Sequence, residues 1–166
     1  KLIMDKETLD KIRKAGKIAS QVRREGAKKL SVSGTSYLEV MDYCENKIVE
    51  LGGQIAWSQM AVNDTAAHFC PTEDDKSVSE EGQLIKVDIG VHIDGYIADN
   101  AMTIEVGDSN KYSDMIKAAK NALRSAIKLV EPGRPLWELG EAQYSEAEAL
   151  GFTTVKNLSG HKIEQY

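Results

Sequence analysis

A chain of 166 residues with 42% hydrophobic and 28% charged residues has the composition of one folded domain, which argues against disorder. Its net charge of −5 argues against a broad surface for nucleic acid or anionic membranes. The two cysteines form no disulfide framework and no CxxC site, and no apolar run reaches the length of a membrane span. We therefore expect a cytoplasmic protein with no nucleic-acid or membrane partner.

Two helices are predicted in the first third of the chain. The second begins after Ser36, which forms a capping-box pattern with Glu39, and it ends at Leu51-Gly52-Gly53. The first covers residues 6–30, where apolar residues recur at helical spacing at Leu9, Ile12, Ala15, Ala19 and Val22.

Residues 84–106 predict a β-hairpin. Runs rich in Ile and Val flank Asp94-Gly95, and an Asp-Gly pair in this setting is typical of a type I′ turn. Counting outward from the turn pairs Gly90 with Asp99 and Asp88 with the residue two positions beyond Asp99. The other face of the hairpin is apolar and is predicted to face the core, with Ile85, Val87, Ile89, Val91, Ala98, Met102 and Ile104.

The hairpin places two aspartates on its polar face as diagonal neighbours. Asp88 and Asp99 would lie roughly 7–8 Å apart at the backbone, so their carboxylates could share a divalent cation such as Mg, Mn, Fe(II) or Co. Gly90, directly across from Asp99, would leave open space for a ligand. Aspartate is disfavoured in strands, and two like charges repel each other unless a cation or proton lies between them. The alternative, a solvated face with two ordinary aspartates, stays open on this pattern alone.

A second pair of helices follows the hairpin. Pro135 marks a helix start, and that helix ends at Leu150-Gly151. The helix before it has apolar residues at Met115, Ala119, Ala122, Ala126 and Leu129.

The two helix pairs resemble each other at an offset of 99 positions. Matches include Gly34 with Gly133 and Gly52 with Gly151. The pattern predicts one domain over residues 1–166, with a first repeat at about 5–107 and a second that begins at about 110 and is cut off at 166. An extended segment follows each helix pair, but the second hairpin is missing, so we expect the chain to be a fragment. Chance agreement between helices of similar composition is the alternative.

Three motifs carry a resemblance to a known family. NDTAAHFCP (63–71), KVDIGVHIDGYIAD (86–99) and NLSGHKIEQY (157–166) resemble the methionine aminopeptidases of type II, in the archaeal style. The resemblance runs from about Asp5 to Tyr166. It implies an α+β, pita-bread (creatinase/aminopeptidase-like) fold of duplicated helix pairs and antiparallel hairpins, here lacking the carboxy-terminal half.

The resemblance assigns four residues to a site. Family members hold two divalent ions with two Asp, one His and two Glu, and the matching metal ligands here are Asp88, Asp99 and His161. Asp88 would bind one ion, Asp99 would bridge both, and His161 would bind the second. His68, in the AAH motif, would bind the substrate near the scissile peptide and act in catalysis by donating a hydrogen bond. His92 matches no family ligand and is interpreted as structural.

The activity implied is removal of the initiator methionine from nascent polypeptides when the next residue is small, with the ribosome as one place of action. The two ions would be Co, Mn, Fe(II) or Zn, and the full-length protein would be a monomer. The two Glu ligands belong to the carboxy-terminal half of the family. We therefore expect the 166 residues to be nearly inactive by themselves.

The chain departs from the family at positions that border the pocket and the metals. Family members commonly have Phe-Pro at Ala56-Trp57, Ser at Ala61, and Thr, Ser or Cys at Asn100. These departures predict changes in efficiency or in metal preference.

Two other functions are weighed against this one. Another pita-bread peptidase, of the aminopeptidase P or prolidase type, would resemble the chain less around His161. A non-catalytic relative that binds the ribosome, RNA or a protein would be expected to lose ligands, whereas Asp88, Asp99 and His161 are all present. The acidic charge also argues against an RNA-binding relative.

Overall fold

The computed structural model describes residues 4–166, so the first three residues of the predicted domain lie outside the described residues. In this part of the chain the elements follow the order α1 (Lys6–Leu30), α2 (Tyr37–Glu50), β1 (Gln54–Val62), β2 (Leu84–Ile93), β3 (Tyr96–Glu105), α3 (Ser113–Ile127) and α4 (Leu136–Ala149). None of these helices is both long enough and apolar enough to cross a membrane.

The chain divides into two compact units. The first runs through Asn110 and also includes Ile163–Tyr166, and the second is Lys111–Lys162. The first unit therefore contains α1, α2 and the sheet, and the second contains α3 and α4.

Helix α1 follows a capping residue, Asp5, and buries one stripe of its surface. The Oδ1 atom of Asp5 accepts a hydrogen bond of 2.8 Å from the backbone N–H of Thr8, which satisfies a donor that the first turn leaves unpaired. The buried stripe confirms the predicted helical face, and it consists of Ala15, Ile18, Ala19, Val22, Gly26, Ala27 and Leu30.

Helix α2 has the predicted signals at both of its ends. Ser36 Oγ accepts a hydrogen bond from the backbone N–H of Glu39, and Gly52 after the helix has a φ of 76°, a conformation that favours glycine. The two helices pack closely because Gly26 of α1 has no side chain: a Cβ there would lie 2.7 Å from Sγ of Cys44 in α2.

The sheet is antiparallel, with strand order β1-β2-β3. The hairpin register is the predicted one, since Gly90 pairs with Asp99 and Asp88 pairs with Ala101. Asp94 and Gly95 have φ values of 51° and 85°, which fits the predicted type I′ turn. His92 accepts a hydrogen bond from the backbone N–H of Gly95 through Nδ1, so it makes the structural contact expected of it.

Helices α1 and α2 cover one face of the sheet, and this face holds the core. Val87, Ile89 and Val91 are completely buried there, as the alternation of apolar residues predicted. Burial of an aliphatic side chain of this size contributes about 1.5–3 kcal/mol. The opposite face of the hairpin bears Asp88 and Asp99.

The second unit is a helix pair with a thin interior. Its buried side chains are small: Ala118, Ala122, Ala126 and Ala147. The predicted apolar stripe of α3 was wrong at Ala119, which is exposed, and at Met115, which is 38% exposed. Ala122 and Ala126 of the predicted stripe are buried, and Ala118 is buried in place of Ala119. Periodicity indicates a helix, but its packing partner determines which residues of the apolar face are covered. Residues 152–166 form neither helix nor strand.

The two helix pairs have matching bounds. Helix α4 covers the residues of α2 shifted by 99 positions, from Tyr37–Glu50 to Leu136–Ala149. Gly34 and Gly133, which precede them, have φ values of 85° and 88°.

Candidate active site

The two predicted metal ligands of the hairpin lie on the face of the sheet away from the helices. Asp88 alternates with the core residues Val87 and Ile89, and it is half-buried, whereas Asp99 is exposed. Their pairing with neighbouring residues of the opposite strand makes them diagonal neighbours, with backbones roughly 7–8 Å apart. We call the side of the sheet that bears Asp88, Gly90 and Asp99 the carboxylate face.

An irregularity in β1 brings a tryptophan to the carboxylate face. Ile55 pairs with Val91, but the next paired residue is Trp57, opposite Gly90, so that one residue is inserted between them. In regular pairing Trp57 would oppose Ile89 and would point to the core. The inserted residue reverses this alternation, since successive strand residues point to opposite faces.

The indole of Trp57 contacts both Asp88 and Gly90. Its Nε1–H donates a hydrogen bond of 2.8 Å to Oδ1 of Asp88. A Cβ on Gly90 would lie 2.3 Å from two ring carbons of Trp57, so the ring lies directly on the glycine. The prediction that Gly90 leaves open space for a ligand was therefore wrong. The sequence could not show this because Trp57 reaches the glycine from a different strand.

One further polar side chain, Gln59, contacts Asp88, and Lys86 on the same strand contacts a different group. Gln59 pairs with Asp88 across β1 and β2, and its Nε2 lies 3.4 Å from Oδ2, a long and weak hydrogen bond. Lys86 donates from Nζ to the backbone oxygen of Asn63 at 3.1 Å. Burial holds the pKa of Lys86 below its usual value, and the charge of the nearby Asp64 offsets this shift only in part. The groups shown in contact with the Asp88 carboxylate, the Trp57 indole and the Gln59 amide, are neutral donors.

His68 is attached to the same sheet through its neighbour in sequence. Phe69 forms an isolated bridge with Met60 of β1, with backbone hydrogen bonds of 2.9 Å in both directions. His68 itself is exposed and has a φ of 70°, an uncommon conformation for a residue with a side chain. The segment lies beside β1, and two strand spacings, about 10 Å, separate it from β2.

His161 belongs to the second unit and lies in a segment without helix or strand. Its Nδ1 lies 3.1 Å from the backbone oxygen of Lys162. The structure thus brings Asp88 and Asp99 together and places His68 on an adjoining segment, while the role of His161 stays a prediction. Within residues 4–166 there is no cluster of three or more His, Cys, Asp or Glu that could hold a metal.

The donor set fits part of a divalent-metal site. Asp88 and Asp99 offer carboxylate oxygens, which suit hard and borderline divalent cations. Trp57 and Gln59, which contact Asp88, are neutral donors and do not cancel the charge of its carboxylate. Asp88 and Asp99 would supply the carboxylate part of a cation site that needs further ligands.

The other departures from the family lie in different surroundings. Ala61 is completely buried and pairs with Lys86. Asn100 pairs with Ile89, whose side chain is on the helix-covered face. The Oδ1 atom of Asn100 is buried without a hydrogen-bond partner among residues 4–166. Trp57 is therefore the departure that contacts a predicted ligand directly.

Comparison with known proteins identifies the family. Residues 10–165 match metallopeptidase family M24. The chain is 47% identical over 159 residues to a methionine aminopeptidase of Pyrococcus horikoshii, and the match covers 95% of this chain and 53% of that protein. The chain thus spans about half the length of this curated relative.

Solved structures share the fold. The methionine aminopeptidase of Thermotoga maritima superposes with a TM-score of 0.89 at 24% identity, over 97% of this chain and 68% of that one. The prolidase of Pyrococcus furiosus gives a TM-score of 0.75 at 23% identity, over 90% of this chain and 45% of that one. These likenesses confirm the α+β, pita-bread fold. The match over residues 10–165 shows that the chain belongs to metallopeptidase family M24.

Proposed function

We propose that this chain is the amino-terminal part of a cytoplasmic, monomeric methionine aminopeptidase. The enzyme would remove the initiator methionine from nascent polypeptides whose second residue is small. The observation that carries the proposal is the pairing of Asp88 and Asp99 as diagonal neighbours on the exposed face of the hairpin, in a chain of family M24. The 47% identity to a protein named methionine aminopeptidase supports this substrate over others in the family.

We assign Asp88, Asp99 and His161 as ligands of two divalent ions, with Co, Mn, Fe(II) and Zn as candidates. When bound, such ions would polarise the substrate carbonyl and lower the pKa of water toward neutrality. Asp88 and Asp99 would hold the positive charge at the hairpin, and two Glu ligands would come from outside residues 1–166. His68 would bind the substrate and donate a hydrogen bond where negative charge develops on the carbonyl oxygen.

We also propose that residues 5–107 and the residues from about 110 are two copies of one repeat within a single catalytic domain. The matching bounds of α2 and α4 and the left-handed glycines before them support this division. A carboxylate hairpin after the second copy would then complete the site. For this reason we expect the 166 residues alone to release little or no methionine.

A chimera tests the function of these residues directly. The 159 aligned residues would replace their counterparts in the Pyrococcus horikoshii relative, and the release of Met from a Met-Ala-Ser peptide would be measured with Mn²⁺ or Co²⁺. We expect an active chimera, and we expect Asp88→Asn and Asp99→Asn each to lower kcat/KM by about 1000-fold or more, since each removes a charge that holds the ions. The matched control Trp137→Phe changes an exposed aromatic residue of α4 and should leave kcat/KM unchanged.

Three outcomes would contradict the proposal. A folded chimera that keeps its activity in Asp88→Asn would show that the hairpin holds no essential ion. Cleavage of X-Pro peptides in preference to Met-Ala-Ser would indicate a prolidase-type enzyme. An inactive chimera, together with salt-dependent RNA binding by the chain, would favour the non-catalytic binding module.

A further inference from the structure

The contact between Trp57 and Asp88 links a residue that has no assigned role to a proposed metal ligand. We infer that Trp57 is a positioning residue, whose indole N–H holds Oδ1 of Asp88 and leaves Oδ2 to bind a divalent cation. This inference rests on the proposed function, because it concerns the same carboxylate face.

The geometry supports an orienting contact. The Nε1–Oδ1 distance of 2.8 Å is that of a good hydrogen bond, whereas the 3.4 Å from Gln59 to Oδ2 is long. One carboxylate oxygen is therefore held firmly and the other only weakly. A donor on one oxygen fixes the plane of the carboxylate, which would otherwise rotate about its side-chain torsions.

The chemistry of the donor also suits a metal ligand. An indole N–H is neutral, so it orients Asp88 without cancelling the charge that attracts a cation. A lysine or arginine at this position would compete with the cation for the same carboxylate. Partners of this kind around metal ligands are commonly worth 10- to 100-fold in metal affinity, as an order of magnitude.

Two features of the sheet hold the indole in place, and the indole donor and the position of its ring can be changed separately. The inserted residue of β1 points Trp57 toward the carboxylate face, and Gly90 makes room for the ring. Trp57→Phe removes the N–H donor and keeps an aromatic ring. Gly90→Ala keeps the donor but displaces the ring, because the new Cβ would lie 2.3 Å from it.

The experiment uses the 166-residue chain in a Trp137→Phe background, in which Trp57 is the one remaining tryptophan of two. The ¹H–¹⁵N resonance of its Nε1–H reports the contact, and Asp88→Asn should shift this resonance without any metal. Millimolar Mn²⁺ should broaden it, whereas diamagnetic Mg²⁺ should not. The Kd for Mn²⁺ is measured from the free ion by electron paramagnetic resonance, with folding checked by circular dichroism.

We expect Trp57→Phe and Gly90→Ala each to weaken Mn²⁺ binding by about 10-fold or more. We expect Trp137→Phe alone to have no effect. If Trp57→Phe binds Mn²⁺ like the wild type while Asp88→Asn abolishes binding, the inference is wrong and the proposed function stands. If Asp88→Asn leaves the Nε1–H resonance of Trp57 in place, the inference is wrong whether or not Mn²⁺ binds. If Asp88→Asn also binds Mn²⁺ normally, the proposed metal site is wrong and the inference falls with it. If the 166 residues show no effect of Mn²⁺, the chimera with the Pyrococcus horikoshii relative is used, and an equal Kd for Mn²⁺ in its Trp57→Phe variant refutes the inference.

Discussion

The two compact units differ in what fills their interiors. The first buries large side chains completely, among them Leu30, Ile48, Met60, Ile85 and Ile89. The second buries four alanines, while several of its large apolar side chains are more than half exposed: Leu123, Ile127, Val130, Leu136 and Trp137.

This difference indicates where the stability of the chain resides. Stabilisation by burial scales with the apolar area removed from water, and an alanine removes little. Helices without such burial are marginal, because helix propensity alone rarely holds a segment of about 15 residues. Asp88 and Asp99 therefore lie in the well-packed unit, whereas His161 lies in the unit with the thin interior.

The largest expected effect comes from shortening a buried leucine of the first unit. An exposed leucine of the second unit provides the matched control. Leu30→Ala should lower the free energy of unfolding by about 3–4 kcal/mol, because the side chain is completely buried and leaves a cavity. Leu123→Ala, at a side chain that is 53% exposed, should change it by less than about 0.5 kcal/mol. Urea unfolding followed by circular dichroism measures both.

The comparison of the units would fail if the two leucine variants lost similar stability. Native-state hydrogen exchange provides a second check. Amides of β2 should exchange through global unfolding, and amides of α3 and α4 through local opening of lower free energy. Equal protection in both units would contradict the interpretation.

A smaller effect is expected from Cys44, the buried thiol in the core of the first unit. Burial raises the pKa of Cys44 from an ordinary value of 9.0 to about 12. The folded state therefore keeps the thiol protonated where the unfolded chain ionises, and stability is lost as the pH rises from about 9 toward 12. Between pH 8 and pH 10 the loss from this group should be about 1.4 kcal/mol, since each pH unit above the unfolded pKa contributes about that much.

The chain contains a matched control for this alkaline effect. Cys70 is exposed, so Cys70→Ala should keep the wild-type dependence of stability on pH, whereas Cys44→Ala should flatten it. A remaining slope is expected from Tyr43, because its hydrogen bond to Glu25 raises the tyrosine pKa to about 12. Identical slopes in the wild type and Cys44→Ala would refute the assignment to the thiol.

The last expected effect is a gain of stability, and it concerns a buried polar atom in the well-packed unit. The buried Oδ1 of Asn100 has no partner among the described residues, and such an atom costs about 1 kcal/mol or more. Asn100→Val should therefore raise the free energy of unfolding by about 1 kcal/mol, since valine also favours strands. Chemical unfolding of this variant gives the answer, and a loss of stability would show that the amide is satisfied by a group outside residues 4–166.

Local patterns predicted much of the fold. The Asp94-Gly95 turn and the alternation of apolar residues were enough for the hairpin and its register, because each step from a two-residue turn pairs one residue with another. The ends of α2 were also predicted, since capping by Ser36 and a left-handed Gly52 are local interactions. The buried stripe of α3 was predicted only in part, at Ala122 and Ala126, because its other members depend on the neighbouring helix.

The amino-acid sequence by itself determined the helices, the hairpin with its register and the two aspartates of the carboxylate face. Only the tertiary structure decided what surrounds them. Trp57 lies on Gly90 and beside Asp88 because β1 pairs with β2 across a connection of more than 20 residues, with one residue inserted before the tryptophan. No local pattern encodes such an insertion, since it exists only in the pairing of two strands that are distant along the chain.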